Sequence, residues 1–419
     1  MVLVFIVFIL MFSFFNYLHF GKFVNYLNLF LGLWCTVSVL SMFGFYGLYI
    51  PPLKTYVYIL IVLTLFEVSS IIFFRLKQGI RVEQANIILR WKRLNSISMI
   101  CLIILVPFAI KGFGVVITEG FYRLRISGFS EILYNTNEKL LLMNIVQPMV
   151  LAISLLSLIE LIENKKIRLS LIISVFNCIL YILIFGGRWV LLEFMLLAGI
   201  VLYDKFGGNF IRLIKNNKLI TIVIAIIAII ILVITQQRSV AGGKGFLYNI
   251  YIYFVGSIHL FGVYMNNPKQ YLITSDHLLY GKEFFGGFLE PIFLFLKFMG
   301  MNIHSGIETI NIISQQFVNV SPDAIMNNNS TMIYAFLRDF GILGLFICPF
   351  VLAIFYMHVY KRKLKSPNIY NRSVYYYSVS ILPFLLFEWM PARMSIIVVL
   401  FFLYVLTRKP FQVRVKKKI

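Results

Sequence analysis

The sequence predicts an all-α polytopic membrane protein. Hydrophobic residues make up 60% of the 419 residues and charged residues only 13%, whereas soluble domains contain about 45–50% and about 25%. The mean hydropathy is +0.90. Apolar runs of about 20 residues, the length that crosses a bilayer, recur along the whole chain. These observations exclude a soluble globular domain.

The apolar runs predict eleven transmembrane helices. The first begins at Val2 with neither a basic region before it nor a small-residue cleavage site, so we expect a retained helix and not a signal peptide. The seventh is short and follows a very tight turn at Gly186-Gly187-Arg188. The predicted spans lie at roughly 2–18, 27–49, 56–74, 96–112, 140–159, 169–186, 189–203, 219–235, 331–359, 373–388 and 394–407.

The charged residues predict the orientation. Cytoplasmic loops carry an excess of Lys and Arg, and most of the 38 basic residues fall in alternate connections, beginning with the one that holds Lys22. We therefore expect the amino terminus outside and the carboxyl terminus, Lys416-Lys417-Lys418-Ile419, in the cytoplasm. The net charge of +22 then reflects loops that face anionic lipid. The basic residues form no continuous face, so no nucleic-acid partner is predicted.

The chain is predicted to have three regions. Residues 1–235 form an N-terminal transmembrane bundle, 236–330 a large extracytoplasmic loop, and 331–419 the C-terminal transmembrane helices. Inside the loop, residues 246–265 and 291–301 are apolar enough for interfacial or re-entrant helices, and the second is too short to span. No internal repeat is visible, which argues against transporters built from inverted repeats.

Arg188, Arg238, Arg338 and Arg393 each lie near a predicted outer membrane boundary, against the usual bias of basic residues. A planar guanidinium binds phosphate oxygens in a bidentate manner. These arginines are therefore candidates for binding the phosphates of a lipid. The alternative for each is an arginine that snorkels to phospholipid.

Acidic and imidazole side chains supply candidates for proton transfer. Asp276 and His277 lie in the middle of the loop, His304 lies beside its second apolar segment, and Asp339 follows Arg338. Each can accept a proton from a hydroxyl group. The structural alternatives are a hydrogen-bonded histidine and, for Asp339, a salt bridge.

Three other acids lie in or beside predicted spans. Glu67 and Glu193 are inside apolar runs, where a carboxylate normally faces the bundle interior. Glu193 follows Arg188 by five residues, which is more than one helical turn, so we expect it to orient Arg188. Glu388 and Arg393 are expected to form a structural pair.

No metal or cofactor is predicted. The four cysteines, Cys35, Cys101, Cys178 and Cys348, lie in apolar runs without CxxC spacing. The chain has no P-loop, HExxH or GxSxG motif and no paired carboxylates for a nucleotide-sugar metal site. A cytoplasmic enzyme that uses nucleotides is therefore not expected.

Three stretches carry a resemblance to a known family. They are Phe185-Gly186-Gly187-Arg188, then Leu279-Tyr280-Gly281-Lys282-Glu283-Phe284, then Asn329-Ser330-Thr331 followed by Arg338-Asp339-Phe340-Gly341-Ile342-Leu343-Gly344. With the hydropathy of the whole chain, they resemble the Wzy-type oligosaccharide repeat unit polymerases of O-antigen and capsular polysaccharide. The O-antigen ligases share this architecture but usually carry a His-Asn or His-Ser pair where this chain has Asn328-Asn329-Ser330. A ligase and a lipid-linked oligosaccharide flippase stay as alternatives.

The resemblance implies a GT-C-like bundle in the bacterial cytoplasmic membrane. It implies a metal-independent transfer of a growing glycan from undecaprenyl pyrophosphate onto a second lipid-linked repeat unit. In that reaction Arg188 and Arg238 would bind the donor pyrophosphate with Arg338 as a third contact, and Asp276, His277 or Asp339 would activate the acceptor. Glu193, His304 and Arg393 are secondary candidates. The implied partners are the donor and acceptor glycolipids, membrane lipids, a chain-length regulator and a flippase.

Overall fold

The computed structural model describes residues 1–23, 25–75, 87–130, 132–207, 222, 225, 229, 232–233, 245–327, 330–408 and 411–414. Helices dominate this part of the chain. Six of them are long and apolar enough to cross a membrane: Val2–Phe20, Leu53–Phe74, Trp91–Phe129, Thr136–Asn164, Leu247–Asn266 and Thr331–Lys365. The chain thus has the helices of an all-α membrane protein, whereas the number of eleven spans stays a prediction.

The helices in the described residues are numbered in chain order. They are α1 Val2–Phe20, α2 Tyr26–Ser41, α3 Leu53–Arg75, α4 Trp91–Phe129, α5 Thr136–Leu141, α6 Gln147–Asn164, α7 Leu169–Phe185, α8 Trp189–Phe206, α9 Phe246–Asn266, α10 Gly286–Phe298, α11 Gly306–Ser314, α12 Thr331–Phe340, α13 Gly344–Lys365, α14 Ile369–Ile381 and α15 Met394–Leu406. Two antiparallel strand pairs accompany them, β1 Ile87–Leu89 with β4 Gln412–Arg414, and β2 Val318–Ser321 with β3 Ala324–Met326.

The chain divides into two compact units, each built from separated segments. Unit 1 comprises Met1–Ile80, Leu247–Lys365 and Ile381–Met394. Unit 2 comprises Arg81–Phe246, Ser366–Ser380 and Ser395–Ile419. The predicted loop 236–330 belongs largely to unit 1, so we describe that unit in more detail.

Aromatic contacts define one end of unit 1. The ring of Phe20 lies 4.7 Å from that of Phe74 and 5.4 Å from that of Tyr360, so α1, α3 and α13 end together. Lys361 donates to the carbonyl of Phe73 at the same end. In the orientation that the sequence predicts, this end faces the cytoplasm.

The opposite end of unit 1, which we call the loop end, contains the α2–α3 loop at residues 42–52. Tyr49 N donates to Val320 O of β2 at 2.8 Å. His259 Nδ1 of α9 lies 2.8 Å from Tyr49 O. The β2–β3 hairpin and α9 therefore belong to the loop end.

A polar contact joins three helices in the interior of unit 1. Asn16 Nδ2 donates to Glu67 Oε2 at 2.9 Å and to Asn28 Oδ1 at 2.7 Å. Asn16 and Glu67 are both fully buried. This placement confirms the expectation that Glu67 faces the bundle interior. A carboxylate that faced lipid without a partner would be costly.

In unit 2, α4 and α7 pack at a distance that requires glycine. A Cβ on Gly112 would lie 1.8 Å from Leu183 O. Helix α7 ends at Phe185 and is capped by Gly186, whose φ of 59° is left-handed. Helix α8 begins three residues after Gly186, at Trp189. The tight turn predicted at 186–188 is confirmed, because glycine allows the reversal without strain.

Some predicted spans differ from the observed helices. The predicted span 331–359 is interrupted by a 3₁₀ turn at Gly341–Leu343, because Gly341 has a φ of 58°. The predicted span 373–388 becomes 3₁₀ at Leu382–Leu386, where Pro383 lacks a backbone N–H. Helix α4 runs through the segment expected to be a connector after residue 112 and turns at Gly120.

Candidate functional site

A polar cleft lies within unit 1, between α11, α12 and the segments around Glu283 and Glu388. Its cavity volume is only about 20 Å³. The closed cleft therefore admits about one water molecule, and a larger ligand requires its walls to move apart. The lining residues are Glu283, Glu388, Asn311, Ser314, Ser330, Thr331, Tyr334, Ile307, Ile310, Ala335 and Trp389.

Helix α11 contributes the Asn311 side of the cleft. Ser305 and Glu308 form a capping box at its start, in which each side chain accepts the backbone N–H of the other, so the helix begins at Gly306. A Cβ on Gly306 would lie 2.4 Å from Lys282 O and 2.6 Å from Glu283 N. Glycine thus allows the first turn of α11 to lie directly on the backbone of Glu283.

Asp339 holds the segment that carries Glu283. Its carboxylate accepts the backbone N–H groups of Glu283, at 3.1 Å, and of Phe284. Tyr280 N donates to Asp339 O at 3.0 Å, so the segment is bound to the end of α12 from both sides. The side chain is completely buried. Asp339 therefore positions Glu283 in this structure.

Arg338 holds the preceding part of the loop. Its Nη1 donates to Leu272 O at 2.6 Å and to His277 O at 2.9 Å. Only 1% of the residue is exposed. Two backbone carbonyls thus accept from Nη1 of the guanidinium that the sequence proposes as a phosphate ligand.

Trp389 forms the floor between the two acidic segments. Its Nε1 donates to Phe284 O at 3.0 Å, and its ring stacks on Phe284 with the centroids 4.8 Å apart. Such a pair contributes more than its buried area alone. The contact fixes Glu283, one residue before Phe284, opposite Glu388.

Glu283 is the most unusual group of the cleft. Only 4% of the residue is exposed, and no described residue forms a hydrogen bond with its Oε2. Burial raises its pKa well above the ordinary value, the negative charges of Asp339 and Glu388 raise it further, and Arg393 opposes them. A buried carboxyl with a raised pKa in a cleft is a candidate for proton transfer.

The neighbouring Glu388 is paired. Arg393 Nη2 lies 2.7 Å from Glu388 Oε1, which confirms the predicted structural pair. Both side chains are partly exposed, at 36% for Arg393 and 25% for Glu388. The pair places a guanidinium close to Glu283. The positive charge of Arg393 only partly offsets the effects that raise the pKa of Glu283.

Thr331 lies at the start of α12 in a strained conformation. Its φ is 68°, a left-handed value that a β-branched residue rarely adopts. Its N–H donates to Phe387 O at 3.1 Å. Its buried Oγ1 has no hydrogen-bond partner among the described residues. Strain of this kind is concentrated at functional sites.

The other predicted site residues are distributed as follows. Asp276 and His277 form an exposed 3₁₀ turn, Ser275–His277, outside the cleft lining. His304 is also exposed, with Nδ1 3.7 Å from Glu308. In unit 2, Arg188 is the N-cap residue of α8, and the buried Glu193 lies within that helix. Arg238 and Asn329 lie outside the described residues.

Two of the three family-like stretches meet at the cleft. Leu279–Phe284 provides Glu283, and 330–344 provides Ser330, Thr331 and the Asp339 carboxylate. The sequence analysis assigned no role to Glu283, although it lies in the stretch Leu279-Tyr280-Gly281-Lys282-Glu283-Phe284. The sequence did contain a signal that Glu283 is buried, because it lies beside Phe284, Phe285 and Phe288. An acid in an apolar segment tends to be buried.

Among the described residues, no group of three or more His, Cys, Asp and Glu side chains could hold a metal ion. Comparisons with protein-family models, with curated proteins and with solved structures found no match for this chain.

Proposed function

We propose that the chain is a membrane glycosyltransferase that polymerises lipid-linked oligosaccharide repeat units, and that the cleft around Glu283 binds the acceptor sugar. The observation that carries the proposal is a buried carboxyl with an unbonded oxygen, in a cleft whose other polar groups are hydroxyl, amide and carboxylate. These groups match the hydrogen-bonding pattern of sugar hydroxyls. The resemblance to the Wzy-type polymerases supplies the reaction.

In this reaction Glu283 is the general base. The acceptor hydroxyl gives its proton to the Glu283 carboxylate while its oxygen bonds to the anomeric carbon of the donor. The bond from that carbon to the pyrophosphate oxygen breaks, and undecaprenyl pyrophosphate leaves with the bonding electrons. A raised pKa makes the carboxylate a stronger base than an exposed one, and such a base contributes about 10²–10⁴-fold in rate.

The leaving pyrophosphate requires positive charge. Arg393 is the partly exposed guanidinium near Glu283, and we assign it this role ahead of Arg338, whose Nη1 binds two carbonyls. The predicted contacts of Arg188 and Arg238 with pyrophosphate stay predictions. We further propose the orientation, eleven spans and bacterial cytoplasmic membrane that the sequence favours, with a chain-length regulator and a flippase as partners.

The test is the glycan made by cells that carry Glu283→Gln, a replacement of nearly the same shape that cannot act as a base. We expect single-repeat glycans at normal protein level. Glu290→Gln is the matched control, because Glu290 is also a partly buried acid of raised pKa but does not line the cleft. Normal polymer length with Glu283→Gln would contradict the role of Glu283.

Deleting the gene separates the proposed polymerase from its alternatives. Loss of a polymerase leaves short surface glycan. Loss of a ligase leaves long polymer that has not reached its final acceptor, and loss of a flippase leaves repeat units facing the cytoplasm. Either of the last two results would contradict the proposed activity.

A further inference from the structure

Helix α10 exposes an apolar stripe although it is too short to be one of the helices that could cross a membrane. The exposed fractions are 62% for Phe288, 54% for Ile292, 61% for Phe295, 90% for Phe298 and 63% for Met299. These positions recur every three or four residues and therefore share one face of the helix. No acidic or basic residue falls on this face.

The opposite face of α10 is attached to the protein. Glu290 and Lys297 lie there, seven residues apart, and Lys297 Nζ pairs with Glu308 at the start of α11. At the first turn, a Cβ on Gly286 would lie 3.0 Å from Ala392 O and 3.2 Å from Ala392 Cβ. These two contacts fix the rotation of α10, so the apolar stripe must point away from unit 1.

The attachment places α10 at the level of a membrane boundary. Ala392 precedes the apolar helix α15, Met394–Leu406, by two residues. Helix α11 leads into β2, which is bonded to Tyr49 in the α2–α3 loop. That loop also exposes apolar side chains, 54% of Phe43 and 62% of Ile50. Aromatic and apolar residues at the ends of spans are typical of the membrane interface.

We propose that α10 is an interfacial membrane anchor whose stripe inserts among the acyl chains of the leaflet at the loop end. Its 13 residues give a helix of about 20 Å, which is shorter than the hydrocarbon core of about 30 Å. The helix therefore lies in the plane of the leaflet. The proposal is independent of the enzymatic activity.

The experiment is a spin-label scan of the purified full chain in liposomes of phosphatidylethanolamine and phosphatidylglycerol. Phe288→Cys, Ile292→Cys and Phe295→Cys each receive a nitroxide, and collisions with O₂ and with a water-soluble nickel chelate are measured. All four native cysteines are buried, so they compete weakly for the label. Asn302→Cys, beyond α10, is the aqueous reference, and Ile6→Cys on the exposed face of α1 is the lipid reference.

We expect the three α10 labels to match Ile6→Cys, with frequent collisions with O₂ and loss of collisions with the nickel chelate. Nickel collisions as frequent as at Asn302→Cys would overturn the proposal, because the stripe would then face water. Protection from both reagents would also overturn it, since a second copy of the chain or another protein would then cover the stripe.

Discussion

The surroundings of Glu283 destabilise its ionised form relative to its protonated form. Burial is the largest cause of its raised pKa, and the carboxylates of Asp339 and Glu388 act in the same direction. The unfolded chain instead ionises this group at a pKa of about 4.3. Because the folded pKa is the higher one, the stabilisation linked to Glu283 is complete below about pH 4.3. It is lost as the pH rises through the folded pKa.

Glu283→Gln should remove this pH dependence. We expect the unfolding free energy of the wild type to fall relative to that of Glu283→Gln as the pH rises from about 4.3, with a slope of at most about 1.4 kcal/mol per pH unit. Thermal unfolding in detergent across this range measures the difference. Identical slopes for the wild type and Glu283→Gln would contradict the raised pKa.

Thr331 allows a prediction about strain. Glycine adopts a positive φ without cost, whereas the left-handed conformation costs other residues about 1–2 kcal/mol. Thr331→Gly should therefore raise the unfolding free energy by about 1 kcal/mol. Thr331→Val keeps the strain and removes only the unbonded hydroxyl, so it should be no less stable than the wild type. A loss of more than about 1 kcal/mol in Thr331→Val would show that the hydroxyl has a partner.

The sequence identified Arg338 and Asp339 as important but not what they contact. The carbonyls bound by Arg338 belong to Leu272 and His277, which are 66 and 61 positions away along the chain. The residue type alone predicts that a guanidinium binds anionic oxygens. Only the tertiary fold determines whether backbone carbonyls accept its hydrogen bonds instead. The same limit applies to Glu283, whose burial depends on residues of α11 and α12.

Among the elements, those bounded by local signals were the most predictable from sequence. The α7–α8 turn follows from Gly186-Gly187, and the helix at residues 246–265 follows from its apolar length. The break between α12 and α13 was missed, although Gly341 and Gly344 both lie there. A Cβ on Gly344 would lie 2.1 Å from Phe336 O, so the second glycine serves a close contact that hydropathy does not report.

Helix α11 tests how closely the cleft is packed. In Gly306→Ala the new methyl group would meet the backbone of Lys282 and Glu283, which cannot rotate away. We expect a loss of about 1–3 kcal/mol in unfolding free energy and a fall in activity, because the Glu283 segment must shift. Unfolding curves and glycan length measure the two effects.

The matched control is Gly199→Ala in α8. No atom lies within 4 Å of a Cβ at Gly199, and alanine favours a helix over glycine by up to about 1 kcal/mol. Gly199→Ala should be at least as stable as the wild type. If Gly306→Ala were equally stable, α11 would not rest on the Glu283 segment.

At the scale of the whole molecule, composition was sufficient to predict a helical membrane protein, because membrane insertion depends on the average hydropathy of the chain. Counting spans is harder, since length and apolarity do not distinguish a crossing helix from one that lies in the interface. Helix α9 shows the difficulty. The sequence favours an interfacial or re-entrant segment there, while its length and composition are sufficient for a crossing.

The contacts of α9 favour the interfacial alternative. Tyr248 packs on Tyr46 with 5.3 Å between the ring centroids, Tyr251 Oη donates to Leu40 O at 2.9 Å, and Gly262 faces Pro51. Both halves of α9 thus follow the loop that joins α2 to α3. A helix that crossed the membrane would move away from that loop after about half of the helix length. We therefore predict that the segments before and after α9 face the same side of the membrane.

Cysteine labelling in intact cells with a membrane-impermeant maleimide checks this prediction. Phe43→Cys in the α2–α3 loop and Asn302→Cys after α10 should both react from outside. Pro367→Cys, between α13 and α14, should react only after permeabilisation, because the nearby Lys361, Arg362, Lys363 and Lys365 assign that connection to the cytoplasm. If α9 crossed the membrane, Asn302 would move to the side opposite Phe43. Labelling of Asn302→Cys only after permeabilisation, with Phe43→Cys still reactive from outside, would therefore place the Glu283 cleft in the cytoplasm and contradict the proposed polymerase.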